Sequence, residues 1–231
     1  MSPLFLIPAR GGSKGIPGKN FKYLGDKPLI HYSLEVARTL SKDENICVST
    51  DDSNIVKAVE TVGYETPFIR PEELASDTAS SYEVMLHAIR HYESIGRNYE
   101  TLVLLQPTSP FRKAWQVKEA IEIFTSDIDM VVSVKLTKAS PYYLLMEEDQ
   151  EGWLQKSKTS TFTRRQDVPP VYELNGAIYV INIERLKQQP LHEFTRVKKY
   201  VMDEITSVDI DDPLDWVVSE ALIEKGLVTN K

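Results

Sequence analysis

Two groups of residues in this chain have types and spacings suited to chemistry. The first is Arg10-Gly11-Gly12-Ser13-Lys14-Gly15, followed by Lys19-Asn20, directly after a short apolar run over residues 4–7. Between Pro8 and Lys22 the segment carries Arg10, Lys14, Lys19 and Lys22 and no acidic residue, in a chain of formal charge −7. Glycine lets successive N–H groups turn toward one point, and Arg and Lys add full positive charge around it. A loop of this kind at the end of a strand is built to hold a polyphosphate. It is not a P-loop, which needs four residues between Gly and Gly-Lys and then Ser or Thr. Here five separate Gly12 from Gly18, and Asn20 follows Lys19. The dinucleotide pattern G-x-G-x-x-G is absent as well.

The second group is Asp209 and Asp211. At i and i+2 on an expected strand their carboxylates point the same way, and two like charges so placed are costly without a cation between them. A hard cation such as magnesium (Mg2+) takes one or two carboxylates plus phosphate oxygens. The pair also suits a plainer role, one carboxylate facing solvent and the other helping to cap the last helix. Taken with the basic loop, the carboxylates point to nucleotidyl transfer, which is mostly positioning and electrostatics and needs no nucleophilic triad. His87 and His91 stand one helical turn apart, but no third zinc ligand is in view. Trp115, Trp153 and Trp216 read as packing residues.

These residues need a scaffold. Apolar periodicity and turn signals give a strand over 4–7, a helix over 28–40, a strand over 46–50 and a helix over 54–62 ended by Gly63. An extended piece over 67–70, a helix over 82–94, a strand over 102–105 and a helix over 115–124 follow. The alternation predicts an α/β fold: an open, mostly parallel twisted sheet with helices on both faces. Ligands of such sheets sit outside the carboxyl ends of the strands, where the basic loop, Ser49-Thr50-Asp51 and Gln106-Pro107-Thr108 all fall. After a strand over 130–134 the rhythm breaks. Residues 136–172 read as an excursion of hairpins, of the kind that contacts a partner subunit or covers a site. The parallel rhythm is expected to resume over 176–181. Extended pieces over 200–205 and 207–210 precede a last helix over 213–224, with Asp212 as its N-cap and Pro213 at its first position.

The 231 residues suit one nucleotidyltransferase domain spanning 1–231, with the excursion inside it. The acidic balance argues against a general nucleic-acid binder. No apolar run reaches the roughly 20 residues of a membrane span, and no signal peptide is visible, which leads to the expectation of a cytoplasmic protein without a membrane partner. The single Cys47 lies in an apparent core strand, excludes an internal disulfide and fits a reducing compartment.

On these motifs the chain resembles the CMP-N-acylneuraminate (CMP-sialic acid) synthetases, or acylneuraminate cytidylyltransferases. Residues 7–15 with Lys19-Asn20 look like that family's nucleotide loop, residues 70–81 its cytosine- and ribose-binding segment, and residues 105–110 its strand-end motif. Asn175-Gly176-Ala177-Ile178-Tyr179 and Asp209-Ile210-Asp211 complete the resemblance. It implies transfer of CMP from CTP to the anomeric hydroxyl of a nonulosonic acid, with release of pyrophosphate and with Mg2+ on Asp209 and Asp211. It further implies Arg10 and Lys14 on the phosphates, with Lys14 stabilising the transition state and Asp211 completing the catalytic set. Gly11, Gly12, Ser13, Lys19, Asn20, Arg70, Ser80 and Ser81 would surround the nucleotide; Gln106, Arg165, Asn175 and Tyr179 would line the sugar pocket. The excursion would form a homodimer with shared active sites. One departure stands out: where the family carries a Lys soon after the excursion's Pro, this chain has Pro141-Tyr142-Tyr143. A phenol supplies no positive charge at neutral pH, so legionaminic and pseudaminic acids stay open as substrates. A related enzyme activating deoxyoctulosonate, whose loop lacks Lys-Asn, and a non-catalytic nucleotide-binding domain are the other readings.

Overall fold

Leu4, Phe5, Leu6 and Ile7 are buried on both sides, and with Pro8 they form β1 (Leu4–Pro8). The structure, a computed structural model, describes residues 2–13, 15–76, 79–162 and 164–228, without the side chain of Arg165. After the loop comes a short ribbon, β2 (Tyr23–Leu24) with β3 (Lys27–Pro28), leading into α1 (Leu29–Leu40). β4 (Ile46–Ser49) is followed by α2 (Ser53–Glu60), whose N-cap is Asp52. α3 (Ser81–Ser94), β5 (Thr101–Leu104), α4 (Ala114–Ile123) and β6 (Met130–Leu136) complete the first part of the chain. The rest comprises the hairpin β7 (Met146–Glu148) and β8 (Leu154–Lys156), then β9 (Tyr172–Asn182), α5 (Ile183–Gln188), β10 (Val197–Val201) and α6 (Pro213–Glu224).

Six strands form one sheet in the order β10-β6-β9-β5-β1-β4. β1 pairs in parallel with β4 and β5, and β10 with β6. Alternation along β1 divides the core. Phe5 and Ile7 pack with α1, α2 and α4 through Ile30, Leu34, Ile55, Val59 and Val117. Leu4 and Leu6 pack with α3 and α5 through Met85, Ile89 and Leu186. The expected α/β sheet with helices on both faces is therefore present. α6, capped by Asp212 and started by Pro213 as expected, adds a third cluster through Trp216 with Ile16, Leu24 and Ile210.

Three features differ from expectation. β9 does not continue the parallel rhythm: it runs antiparallel to both β5 and β6. The reason is the excursion, which leaves β6 and returns directly onto it at Leu136 opposite Tyr172. A chain that returns without a crossover must pair antiparallel. Second, the segment carrying Asp209 and Asp211 is not a strand. Asp203 accepts hydrogen bonds from the N–H groups of Ile205 and Thr206 at 2.9 and 3.0 Å, a local turn that ends the extended run. Third, of the tryptophans only Trp216 packs in the interior; Trp115 and Trp153 are largely exposed. Cys47 is buried as expected, and burial pushes its thiol far up from the usual range. His87 and His91 sit against the Phe68 ring at 4.7 Å each, and no cluster of three metal-binding side chains occurs among the described residues.

Candidate functional site

The loop after β1 is shaped by its neighbours at β4. The Ala9 N–H donates to Ser49 O at 2.9 Å, extending the strand pairing. The Gly11 N–H then donates to the Asp51 carboxylate at 3.2 Å. A Cβ on Gly11 would stand 2.5 Å from Asp52 Oδ2 and 2.8 Å from Asp52 Cβ, so a larger residue here must displace the side chain that caps α2. Asn20 is buried and closes the loop from beneath, its Nδ2 donating to Arg10 O at 2.9 Å. Its Oδ1 has no hydrogen-bond partner among the described residues. Arg10 reaches across to Ser76 O at 3.3 Å.

A buried Arg70 forms the adjoining wall. Its Nε donates to Ser49 Oγ at 3.0 Å and its Nη2 to Ser49 O, and burial lowers its pKa. Ser81 opens the first turn of α3. Ser80 is committed to the cap, its hydroxyl accepting from the Glu83 N–H at 3.2 Å.

Opposite the loop, the carboxyl end of β5 meets the acidic segment. The Ile210 N–H donates to Thr108 O at 2.8 Å, which ties that segment to the turn after Gln106. Gly176, at φ +70°, leaves a cradle: a Cβ there would lie 3.0 Å from Gln106 Oε1 and 3.3 Å from Asp209 Oδ2. Asp209 is half-buried, and its Oδ1 has no hydrogen-bond partner among the described residues. Burial raises its pKa; the Thr108 hydroxyl opposes that rise, Asp211 adds to it, and Lys19 and Arg112 offset it. The side chain of Asp211 is 78% exposed and lies 3.5 Å from Lys19 Nζ, which also donates to Ile210 O at 2.7 Å. The cation beside the acidic pair is thus the ammonium of Lys19. An orphaned carboxylate oxygen next to a second, open carboxylate fits a hard divalent cation such as Mg2+.

A crevice of about 530 Å³ joins these walls at the carboxyl ends of the strands. Arg10, Ser13, Lys19 and Asn20 line it from the loop, and Arg70, Ser81, Gln106 and Asp211 from three other parts of the chain. Gly11, Gly12, Asp209 and Tyr179 do not line it. Tyr179 stands opposite Leu104 and Val132 in the sheet, and burial, then Asp209, raises its pKa. Nor does the structure bring Asn175 to the crevice. It is buried in the bulge of β9, where Nδ2 donates to Ser207 Oγ at 2.8 Å and Oδ1 accepts from Ser133 Oγ at 2.6 Å. Lys14 lies outside the described residues, as does the side chain of Arg165, whose backbone is in the short turn Arg165–Asp167.

Two residues that hold the site have no role assigned from sequence: Asp51 is named there only as part of a strand end, and Arg112 is not named. Asp51 marks a strand end but carries no motif that would announce its grip on Gly11. Arg112 carries no such signal either: six positions after Gln106, it lies in the polar turn Ser109-Pro110-Phe111-Arg112-Lys113 beside a second cation.

The chain matches the family described as Cytidylyltransferase over residues 4–222. Among curated proteins it is 32% identical to a CMP-N,N'-diacetyllegionaminic acid synthase of Legionella pneumophila, covering 97% of each chain. It is 34% identical to an N-acylneuraminate cytidylyltransferase of Streptococcus agalactiae, covering 94% of this chain and 52% of that protein. Its fold is similar to that of a CMP:2-keto-3-deoxy-manno-octonic acid synthetase complexed with CTP. The TM-score is 0.72 at 17% identity, over 98% of this chain and 100% of that one. The protein is a nucleotidyltransferase. Within that class it belongs to the cytidylyltransferase family.

Proposed function

We propose that this enzyme transfers CMP from CTP to the anomeric hydroxyl of a nonulosonic, sialic-type acid, releasing pyrophosphate. The observation that carries the reading is the convergence of the basic loop, Gln106 and Asp211 on one crevice, with Asp209 beside Gln106 at the Gly176 cradle. In this reading Arg10, Ser13, Lys14 and Lys19 neutralise the triphosphate, and Lys14 and Arg10 stabilise charge on departing pyrophosphate. Asn20, Arg70 and Ser81 hold the nucleoside, and Gln106, with Tyr179 behind it, faces the acid. Asp209 and Asp211 hold Mg2+, which when bound polarises the α-phosphoryl group and orients the attacking oxygen.

The acid's carboxylate calls for a cation. Lys138 is engaged by Glu204 at 2.9 Å and Arg164 by Asp167 at 2.8 Å, whereas Lys156 and Lys158 lie over the rings of Tyr143 and Tyr142. Relatives named for legionaminic and for N-acylneuraminic acids both cover this chain at similar identity, and the reading stops at the nonulosonic class. The deciding experiment crosses CTP, ATP, GTP and UTP with N-acetylneuraminic, diacetyllegionaminic, pseudaminic and deoxyoctulosonic acids. Pyrophosphate release is expected with CTP, Mg2+ and one of the nine-carbon acids together. Release with another nucleotide, or with deoxyoctulosonate alone, overturns the assignment.

The excursion supports a homodimer. Leu144, Met146, Trp153 and Leu154 are exposed on its hairpin, with Trp153 66% open, and apolar surface so displayed favours a second copy. Sedimentation is expected to give a dimer for the native chain and a monomer for the double variant Leu144→Glu, Trp153→Glu. A native monomer at micromolar concentration would remove this element.

A further inference from the structure

We infer that Arg112 is a positioning residue of this active site, gripping the strand end at Gln106 and thereby holding Gln106 and Asp209 in register. Its side chain is only 2% exposed. Nη1 donates to Ser33 Oγ at 2.7 Å and Nη2 to the main-chain oxygen of Gln106. Among the described residues Nε has no hydrogen-bond partner, and Asp209 acts on the guanidinium only through its field. A guanidinium buried without a paired anion is expensive. An apolar residue of similar volume would fill the space at less cost, so packing alone does not account for it.

What it holds explains its placement. The Gln106 oxygen also accepts from the Ser109 N–H at 3.3 Å, closing the turn over residues 106–109. That turn is a junction. Thr108 O receives the Ile210 N–H, and Ser109 Oγ donates to Asn175 O at 3.2 Å in the bulge beside Gly176. Fixing the Gln106 carbonyl therefore fixes both sides of the Gly176 cradle, where Gln106 Oε1 and Asp209 Oδ2 meet. The charge helps as well: burial pulls the Arg112 pKa down to about 9, and Asp209 is the group whose field opposes that fall. Arg10, Arg70 and Ser81 are anchored elsewhere, to Ser76, to Ser49 and on α3. The two substrates are thereby separable.

The test uses Arg112→Met, Arg112→Lys and Ser33→Ala in the full chain. In Arg112→Met, kcat/KM for the acid is expected to fall about 100-fold, the effect of a misplacement near 1 Å, while KM for CTP stays within about twofold. Arg112→Lys should recover part of the loss. A variant that lowers the melting temperature yet shifts both substrates equally, or neither, overturns the inference. Should Arg112→Met not fold, Ser33→Ala removes the other anchor and is expected to raise KM for the acid selectively. An unchanged KM for the acid in Ser33→Ala then counts against the idea. The kinetic arm rests on the proposed function; hydrogen exchange does not. Without substrate, amides of residues 106–110 and 207–211 should exchange faster together in Arg112→Lys and Ser33→Ala, and unaltered exchange over 207–211 refutes the positioning role even if no acid proves to be a substrate.

Discussion

Replacing Asp211 with Ala is expected to lower kcat by about 10²–10³-fold, the scale on which loss of one charge-stabilising group is felt, while CTP binding weakens only modestly. The asymmetry follows from placement. Arg10, Ser13, Arg70 and Ser81 line the crevice independently of the acidic segment and, in the proposed function, would still hold the nucleotide. Asp211 is 78% exposed and packs against nothing in the core, so the variant folds. Its N–H is held by Asp215 Oδ2 at 2.9 Å through the backbone, which Ala preserves. Asp209→Ala should lose activity on a similar scale but with a cost in stability, because Asp209 stands at the Gly176 cradle and bonds Thr108. Groups acting as one unit are not additive, and the double variant should be scarcely worse than either single one. Steady-state pyrophosphate release with calorimetric titration of CTP checks all three. Full activity in Asp211→Ala would remove the metal assignment, and a double variant with the product of the two losses would show that the carboxylates act separately.

Much of this site was legible because its parts announce themselves locally. Strand, glycine, cation and proline fall in a row at residues 4–22, and the parallel rhythm through residue 124 places the crevice at the strand ends before any coordinate is known. Asp212-Pro213 likewise gives α6 its start. What escaped was set by tertiary partners. The direction of β9 depends on where the excursion returns, and nothing in Gly176 to Ile181 records whether its neighbours run with it or against it. Asp211 reaches the crevice, and Asp209 the Gly176 cradle, without strand geometry, since a hydrogen bond from Ile210 to Thr108 replaces the ladder. Asn175 shares a stretch with residues expected at the sugar, yet the bulge turns its amide inward to two serines. The tie between Arg112 and Gln106 joins residues that sequence order alone would assign to a turn and a helix start.

The substitution Gly15→Ala should be nearly as damaging as the loss of Asp211, and for a linked reason. A Cβ on Gly15 would fall 2.0 Å from the main-chain oxygen of Asp211 and 3.2 Å from its carbonyl carbon. Those atoms are backbone, so no rotamer change relieves the overlap; the phosphate loop or the acidic segment must move by about an ångström, a displacement that costs about 100-fold in rate. Gly15 itself is exposed, but Ile16 beside it packs in the third buried cluster with Ile210, so a modest fall in melting temperature should accompany the loss of rate. Gly12 supplies the contrast within the same loop. No atom lies within 4 Å of a Cβ built there, and Gly12→Ala is expected to stay within about twofold of the native rate and to gain slightly in stability, as unfolded-state entropy is reduced. Kinetics and thermal melting of the pair measure whether contact between the two ends of the chain, rather than glycine content, sets the geometry. Equal losses in both variants would mean that the loop needs backbone freedom at each glycine. Loss confined to Gly15→Ala, made no worse by adding Asp211→Ala, would place residues 15 and 211 in one catalytic unit.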